Sequence, residues 1–184
     1  MKTFIIPGFF TGKKFYNKLI NNFEKKGLTI ECIDLGLNFK SLKNAAEKTA
    51  CRLKKFNGDF NVIAYSFGGL IFKEVIFKNP DIFQRVKSLN FVAVPHYGTW
   101  GAVIIPFFPA TLDMLPIRKH INQLLKIPLP EKTVNFISQN DIVILPKKFS
   151  LLKDCVNITI PNVNHKSIIR SAELFSQIEK NLTL

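Results

Sequence analysis

Apolar residues recur along this chain in two alternating rhythms, short unbroken runs and longer stretches in which they return every three or four positions. The first rhythm belongs to strands and the second to helices. Lys2 to Ile6 is a short apolar strand. Lys13 to Lys26 then places Phe15, Leu19, Ile20 and Phe23 at helical spacing, and Gly27 follows where a C-terminal cap is wanted. Leu28 to Leu35 alternates as a second strand. Ser41 to Phe56 is a helix with Leu42, Ala45, Ala46, Thr49 and Leu53 inside, closed by Asn57-Gly58. Val62 to Tyr65 end a third strand, and Gly68-Gly69 with Leu70 to Phe77 open an amphipathic helix that stops at Asn79-Pro80. Val86 to Val94, Lys132 to Ser138 and Val156 to Ile160 are further strands. Ser167 to Leu182 is the last helix, with Ile168, Ile169, Ala172, Phe175 and Ile178 on its inner side. Strands alternating with helices at this interval imply the α/β class, with right-handed crossovers and a mostly parallel central sheet of about six strands between two helical layers.

Gly98 to Leu129 breaks this rhythm. Its stretch Gly101-Ala-Val-Ile-Ile-Pro-Phe-Phe-Pro-Ala-Thr-Leu112 is apolar but interrupted by prolines, so it is not a sheet strand. A structureless loop of this length is uncommon in a compact domain. Residues 98–130 are therefore expected to form a cap inserted in a single domain spanning 1–184, with a short helix at Arg118 to Leu125. Ile104, Ile105, Phe107 and Phe108 suit an acyl pocket, a membrane contact or inward packing, and the pattern leaves the three open.

The candidate chemistry centres on Asn61-Val-Ile-Ala-Tyr-Ser66-Phe-Gly-Gly-Leu70. Ser66 sits between strand and helix, where a tight turn requires small residues two before and two after it; they are Ala64 and Gly68. This is the arrangement of a nucleophile elbow, G-x-S-x-G in its usual form, here with alanine for the first glycine. The stretch resembles the elbow of the α/β-hydrolase superfamily, closest to the small Bacillus-type lipases. A serine hydroxyl needs a base and a group to orient that base. Asp141, after Gln139-Asn140, and His165, after Asn162-Val-Asn164, each fall in the loop following a strand, and the order Ser66, Asp141, His165 is that of the superfamily triad.

The resemblance implies more. The loop Pro7-Gly8-Phe9-Phe10-Thr11-Gly12 would supply the Phe9 N–H, and the helix start the Phe67 N–H, as an oxyanion hole. Pro7 departs from the usual histidine, but the donor is main-chain. Pro95-His96-Tyr97-Gly98-Thr99 is similar to a segment of many bacterial lipases, which makes His96 a second candidate base but places it, with Tyr97 and Phe10, along the substrate pocket. Asp113, His120 and Asp154 are competing triad members set in the cap or at the opposite sheet edge. The implied activity is hydrolysis of carboxylic esters with a lipid-like or medium-chain acyl group through an acyl-enzyme, with no metal or organic cofactor. The same triad serves thioesterases and acyltransferases, and a lipid-binding protein of this fold without catalysis is the rival from another class.

Composition adjusts the picture in two places. The 184 residues carry a net charge of +13, which invites nucleic acid. No zinc-finger, RNP or Arg-rich pattern accompanies the charge, and lysines such as Lys25, Lys26, Lys54, Lys55, Lys78 and Lys180 sit at helix ends or outer faces, where cations are favoured. No nucleic-acid partner is expected, while attraction to an anionic membrane surface stays open. The oligomeric state is not legible. Cys32, Cys51 and Cys155 are odd in number and lack metal-ligand spacing, the apolar run after Met1 is too short for a signal peptide, and no run reaches the length of a membrane span. A cytoplasmic protein with reduced thiols is the expectation.

Overall fold

A computed structural model of the chain describes residues 1–153 and 155–183. Six strands, β1 (Lys2–Ile6), β2 (Ile30–Cys32), β3 (Phe60–Tyr65), β4 (Val86–Val92), β5 (Thr133–Ser138) and β6 (Val156–Ile160), form one sheet in the order β2-β1-β3-β4-β5-β6. Every neighbouring pair is parallel, so the sheet expected to be mostly parallel is parallel throughout. The chain steps from β1 outward to β2, returns past β1 to β3, and then runs on to the far edge. That reversal opens a crevice at the C-terminal ends of β1 and β3, where ligands of open α/β sheets bind.

The helices are α1 (Asn17–Glu24), α2 (Leu42–Lys54), α3 (Phe67–Lys78), α4 (Pro80–Gln84), α5 (Pro109–Asp113), α6 (Lys119–Leu124) and α7 (Ala172–Thr183). Alternation along the strands sends Phe4, Ile6, Val62, Ala64, Leu89 and Phe91 to one core, shared with α2 to α6. Ile5, Ile63, Tyr65, Val92, Phe136 and Ile160 face the other, shared with α1 and α7. A parallel sheet buried on both faces gives the unbroken apolar runs read from the chain. The result is three layers, α/β/α.

Local chemistry shifts several boundaries. β2 stops at Cys32 because the Asp34 carboxylate accepts the Gly36 N–H at 2.9 Å and Gly36 has φ +64°, turning the chain out of the sheet. The first helix opens as a 3₁₀ turn, Lys13–Tyr16, and the last is preceded by another, Ile168–Arg170. In the 98–130 segment the structure has a 3₁₀ turn at Trp100–Ile104, then α5 and α6. α5 escaped the pattern because Pro109 was read as an interruption, whereas proline suits the first turn of a helix. α6 packs on α3 and α5 on α2. The Asp113 carboxylate accepts the Leu42 N–H at 2.7 Å at the start of α2, and the His120 Nε2 lies 3.0 Å from the Asp113 carbonyl. Both cap residues weighed as triad members are thus tied up in packing the segment down. Asp154 lies outside the described residues.

Helix α3 is not amphipathic as expected. From Phe67 to Val75 nearly every side chain is buried, because the sheet, α2 and α6 surround it. Lys73 is the exception in kind, 1% exposed with its ammonium over the Phe91 ring at 5.5 Å. Burial takes its pKa down to about 8, opposed by the Cys155 sulfur. The unfolded value is near 10.4, so folding disfavours the cation. The cost is borne in full below pH 8 and disappears as pH rises towards 10.4. Lys73→Met is expected to raise stability at pH 7 by about 1–3 kcal/mol and to lose that gain by about pH 10.5. Urea midpoints of both proteins at the two pH values test this; a variant less stable at pH 7 refutes it.

Candidate active site

Between β3 and α3 stands one residue, Ser66, with φ +51° and ψ −122°. A non-glycine residue there is strained by about 1–3 kcal/mol and persists only where its surroundings hold it. Its N–H donates to the Val92 carbonyl at 2.8 Å, and its carbonyl accepts from Gly69 at 3.0 Å. The reason for glycine at 68 differs from the sequence reading. A β-carbon there would come within 2.2 Å of the Ile6 carbonyl oxygen and 2.9 Å of that of Pro7. The close neighbour of Gly68 is thus the end of β1; Ala64 pairs with Ile6 inside the sheet.

Asp141 follows β5 and His165 follows β6, on the same sheet edge. The structure brings the three together: His165 Nε2 lies 2.9 Å from Ser66 Oγ, and His165 Nδ1 lies 2.7 Å from Asp141 Oδ2. A carboxylate can only accept, so Nδ1 carries the proton and Nε2 offers its lone pair to the serine hydroxyl. The other carboxylate oxygen accepts the N–H groups of Val143 at 2.9 Å and Ile144 at 3.0 Å. Burial by itself raises the Asp141 pKa, but the hydrogen bond and charge of His165 and these two amides outweigh it, and the carboxyl lies below its ordinary range. All three side chains are under a tenth exposed.

The loop after β1 is held by groups that sequence reading missed. Gly8 donates its N–H to Tyr16 Oη at 3.0 Å, Thr11 donates its hydroxyl to the Gly8 carbonyl at 2.8 Å, and Tyr16 closes the ring to Thr11 Oγ1 at 2.8 Å. Asn38 donates to the Pro7 carbonyl at 3.0 Å. Phe9 borders the same cavity as Ser66, and its N–H meets no acceptor among the described residues. Phe67 is the first residue of α3, whose opening N–H groups have no intrahelical partner. Tyr65, behind the serine, donates its hydroxyl to the His165 carbonyl at 2.7 Å and so ties the histidine loop to β3. The only prior signal for these residues was generic: a buried tyrosine must find a partner for its hydroxyl.

Ser66 and His165 open onto a cavity of about 300 Å³. Its walls are Phe9, Phe10 and Pro95, then Thr99, Gly101, Ala102, Ile105, Phe108, Thr111 and Met114 from the 98–130 segment, and Val143 and Ile144. Phe10 is among the residues that line this cavity, and His96 and Tyr97, expected along a substrate pocket, are not. His96 is fully buried, its Nε2 3.1 Å from Asn135 Oδ1 and its Nδ1 without a hydrogen-bond partner. Burial and then the charge of Lys73 push its pKa well below the usual imidazole value, which favours the neutral ring, and it does not line the cavity. Tyr97 packs at a tilt against Phe149, ring centroids 5.9 Å apart. The turn after Val94 buries the His96 side chain, leaves Tyr97 half-buried and sets Pro95 at the cavity wall.

No protein-family model and no curated protein matches the chain. Solved structures do. The mature form of the Bacillus licheniformis lipase BlEst2 matches with a TM-score of 0.82 at 14% identity, over 98% of this chain and 91% of that one. Aspergillus fumigatus lipase B matches with a TM-score of 0.84 at 12% identity, this chain spanning 52% of its length. The ydeN gene product of Bacillus subtilis matches with a TM-score of 0.71 at 10% identity, over 100% of this chain and 99% of that one. Six parallel strands between two helical layers, with a strained serine at the switch of strand order and these structural neighbours, show that the chain has the α/β-hydrolase fold.

Proposed function

We propose that this protein is a serine hydrolase that cleaves carboxylic esters, with Ser66 as nucleophile, His165 as base and Asp141 as the group that orients it. The observation that carries the reading is the hydrogen-bonded line from Asp141 through His165 to Ser66, ending at an apolar cavity. Two structural neighbours are described as lipases, which agrees with it. Ser66 Oγ attacks the ester carbonyl while its proton passes to His165 Nε2. The N–H groups of Phe9 and Phe67 receive the oxyanion, in a site whose donors are already aimed. His165 returns the proton to the leaving alcohol, and water, activated by the same nitrogen, releases the acid and frees Ser66. The 98–130 segment acts as a cap that supplies the acyl wall. A cavity of about 150 Å³ accommodates benzene, so this one suits a medium-length acyl chain.

A fluorophosphonate probe should add one adduct to the wild-type protein by intact mass and none to Ser66→Ala; a folded wild type that takes no adduct sinks the reading. Asp141→Asn is expected to lower kcat about 10³- to 10⁴-fold on a p-nitrophenyl ester, because the wrong histidine tautomer is then favoured. The same substitution reports on stability. A carboxyl whose folded pKa is depressed stabilises the protein fully above its unfolded value of about 3.9 and loses that contribution as pH falls through the folded value. The stability gap between wild type and Asp141→Asn should therefore shrink on acidification below about pH 4. Tyr16→Phe, which removes the acceptor of the Gly8 N–H and the hydroxyl that bonds Thr11 Oγ1, should lower kcat about tenfold or more with KM little changed. An equal loss through KM alone would place Tyr16 outside the positioning of the Phe9 amide.

A further inference from the structure

The exposed apolar side chains are not scattered. Except for Met1, Phe77, Leu151 and Val156, every large apolar residue exposed among the described residues lies on a segment leaving the C-terminal edge of the sheet, around the cavity mouth. Phe107 is 86% exposed, Ile104 80%, Ile142 78% and Phe10 63%, with Val103 and Trp100 beside them. They form one surface. The Trp100 N–H donates to the Leu145 carbonyl at 2.9 Å and Thr99 Oγ1 to the Val143 carbonyl at 2.7 Å, which joins the 3₁₀ turn to the loop after β5. Phe10 packs on Phe39 and Phe39 stacks on Phe108, which carries the surface round to the loop after β1. A contiguous exposed apolar patch on a soluble domain marks an interaction site.

Charge identifies what would cover it. The same edge carries exposed Lys13, Lys14, Lys40, Lys147, Lys148 and Lys166. Among the described acidic residues of these segments Asp34 is exposed, Asp141 is buried beside His165 and Asp113 is bonded to the start of α2, while the exposed Glu131 lies next to the start of β5, at the opposite edge. Six lysines thus share the edge that carries the apolar patch, which includes the chain's single tryptophan. Apolar side chains that enter the acyl boundary within a ring of cations are the makings of a peripheral site for anionic lipid. No described helix is long and apolar enough to cross a membrane.

We propose that this edge docks on an anionic lipid bilayer, seating Phe107, Ile104 and Trp100 in the headgroup region and bringing the cavity mouth to the membrane. The proposal names where the ester hydrolase described above would meet its substrate, but the docking itself needs no reaction. It is therefore tested on Ser66→Ala protein. Emission from Trp100 is followed on titration with phosphatidylcholine vesicles, with or without phosphatidylglycerol. A blue shift with the anionic vesicles is expected, with affinity at least about tenfold weaker for neutral vesicles and at about 1 M salt, where the screening length falls to about 3 Å. The double variant Ile104→Glu/Phe107→Glu should bind at least about tenfold more weakly, while its counterpart with Ser66 intact hydrolyses a water-soluble short ester at the unaltered rate. No shift with anionic vesicles, equal affinity for both vesicle types, or unchanged binding by the double variant overturns the proposal. So does sedimentation equilibrium showing a dimer dissolved by the double variant, since the patch would then be covered by a second copy. Loss of ester hydrolysis with docking intact would instead strike the functional reading and leave this one standing.

Discussion

The site depends on one close approach, that of α3 to the end of β1. Gly68 lies so near the Ile6 and Pro7 carbonyls that no side chain fits between them. This approach lets the chain reverse from strand to helix within a single residue, with Ser66 held at positive φ. It also brings the Pro7-Gly8-Phe9 loop against the serine, since a β-carbon on Gly8 would meet Ser66 Cβ at 3.0 Å. The strained backbone, the raised hydroxyl and the neighbouring main-chain donors have one packing cause. Strain of this order survives because α3 is buried on all sides by the sheet, α2 and α6.

Around that point the polar groups fall into two kinds. Those around Ser66 are linked: Tyr65 to the His165 carbonyl, Asp141 to two amides and His165, Tyr16 and Thr11 to Gly8. Each bond fixes the orientation of a group beside the serine. Two groups beneath α3 stand apart from that network: His96 has one nitrogen without a hydrogen-bond partner, and Lys73 is a buried ammonium set over an aromatic ring. Burying such groups costs stability.

The 98–130 segment faces two environments at once. Ile105 and Phe108 turn toward the cavity, while Ile104 and Phe107, their immediate neighbours, turn to the outside. A short 3₁₀ turn and a proline-started helix change direction within a few residues, which allows adjacent side chains to serve opposite faces. The open choice among pocket, surface and core for these four residues therefore resolves into a mixture.

The chain alone determined the α/β class, the six strands and their approximate places, because a parallel sheet buried on both faces writes itself as unbroken apolar runs. Ser66, Asp141 and His165 were legible for the same reason: each follows such a run, and the ends of parallel strands share an edge. Within the segment 98–130 the short helix α6 was legible, but α5 and the second rank of the site were not. α5 hid behind its proline, and Tyr16, Asn38 and Tyr65 look like ordinary core or turn residues until distant segments meet them. His96 shows the reverse failure, since a local motif suggested a pocket residue and a turn of backbone sent it into the core beside Lys73. Local pattern decides which residues can form an element. Which way a side chain points at the end of that element, and what it meets there, is decided only when segments far apart in the chain pack together.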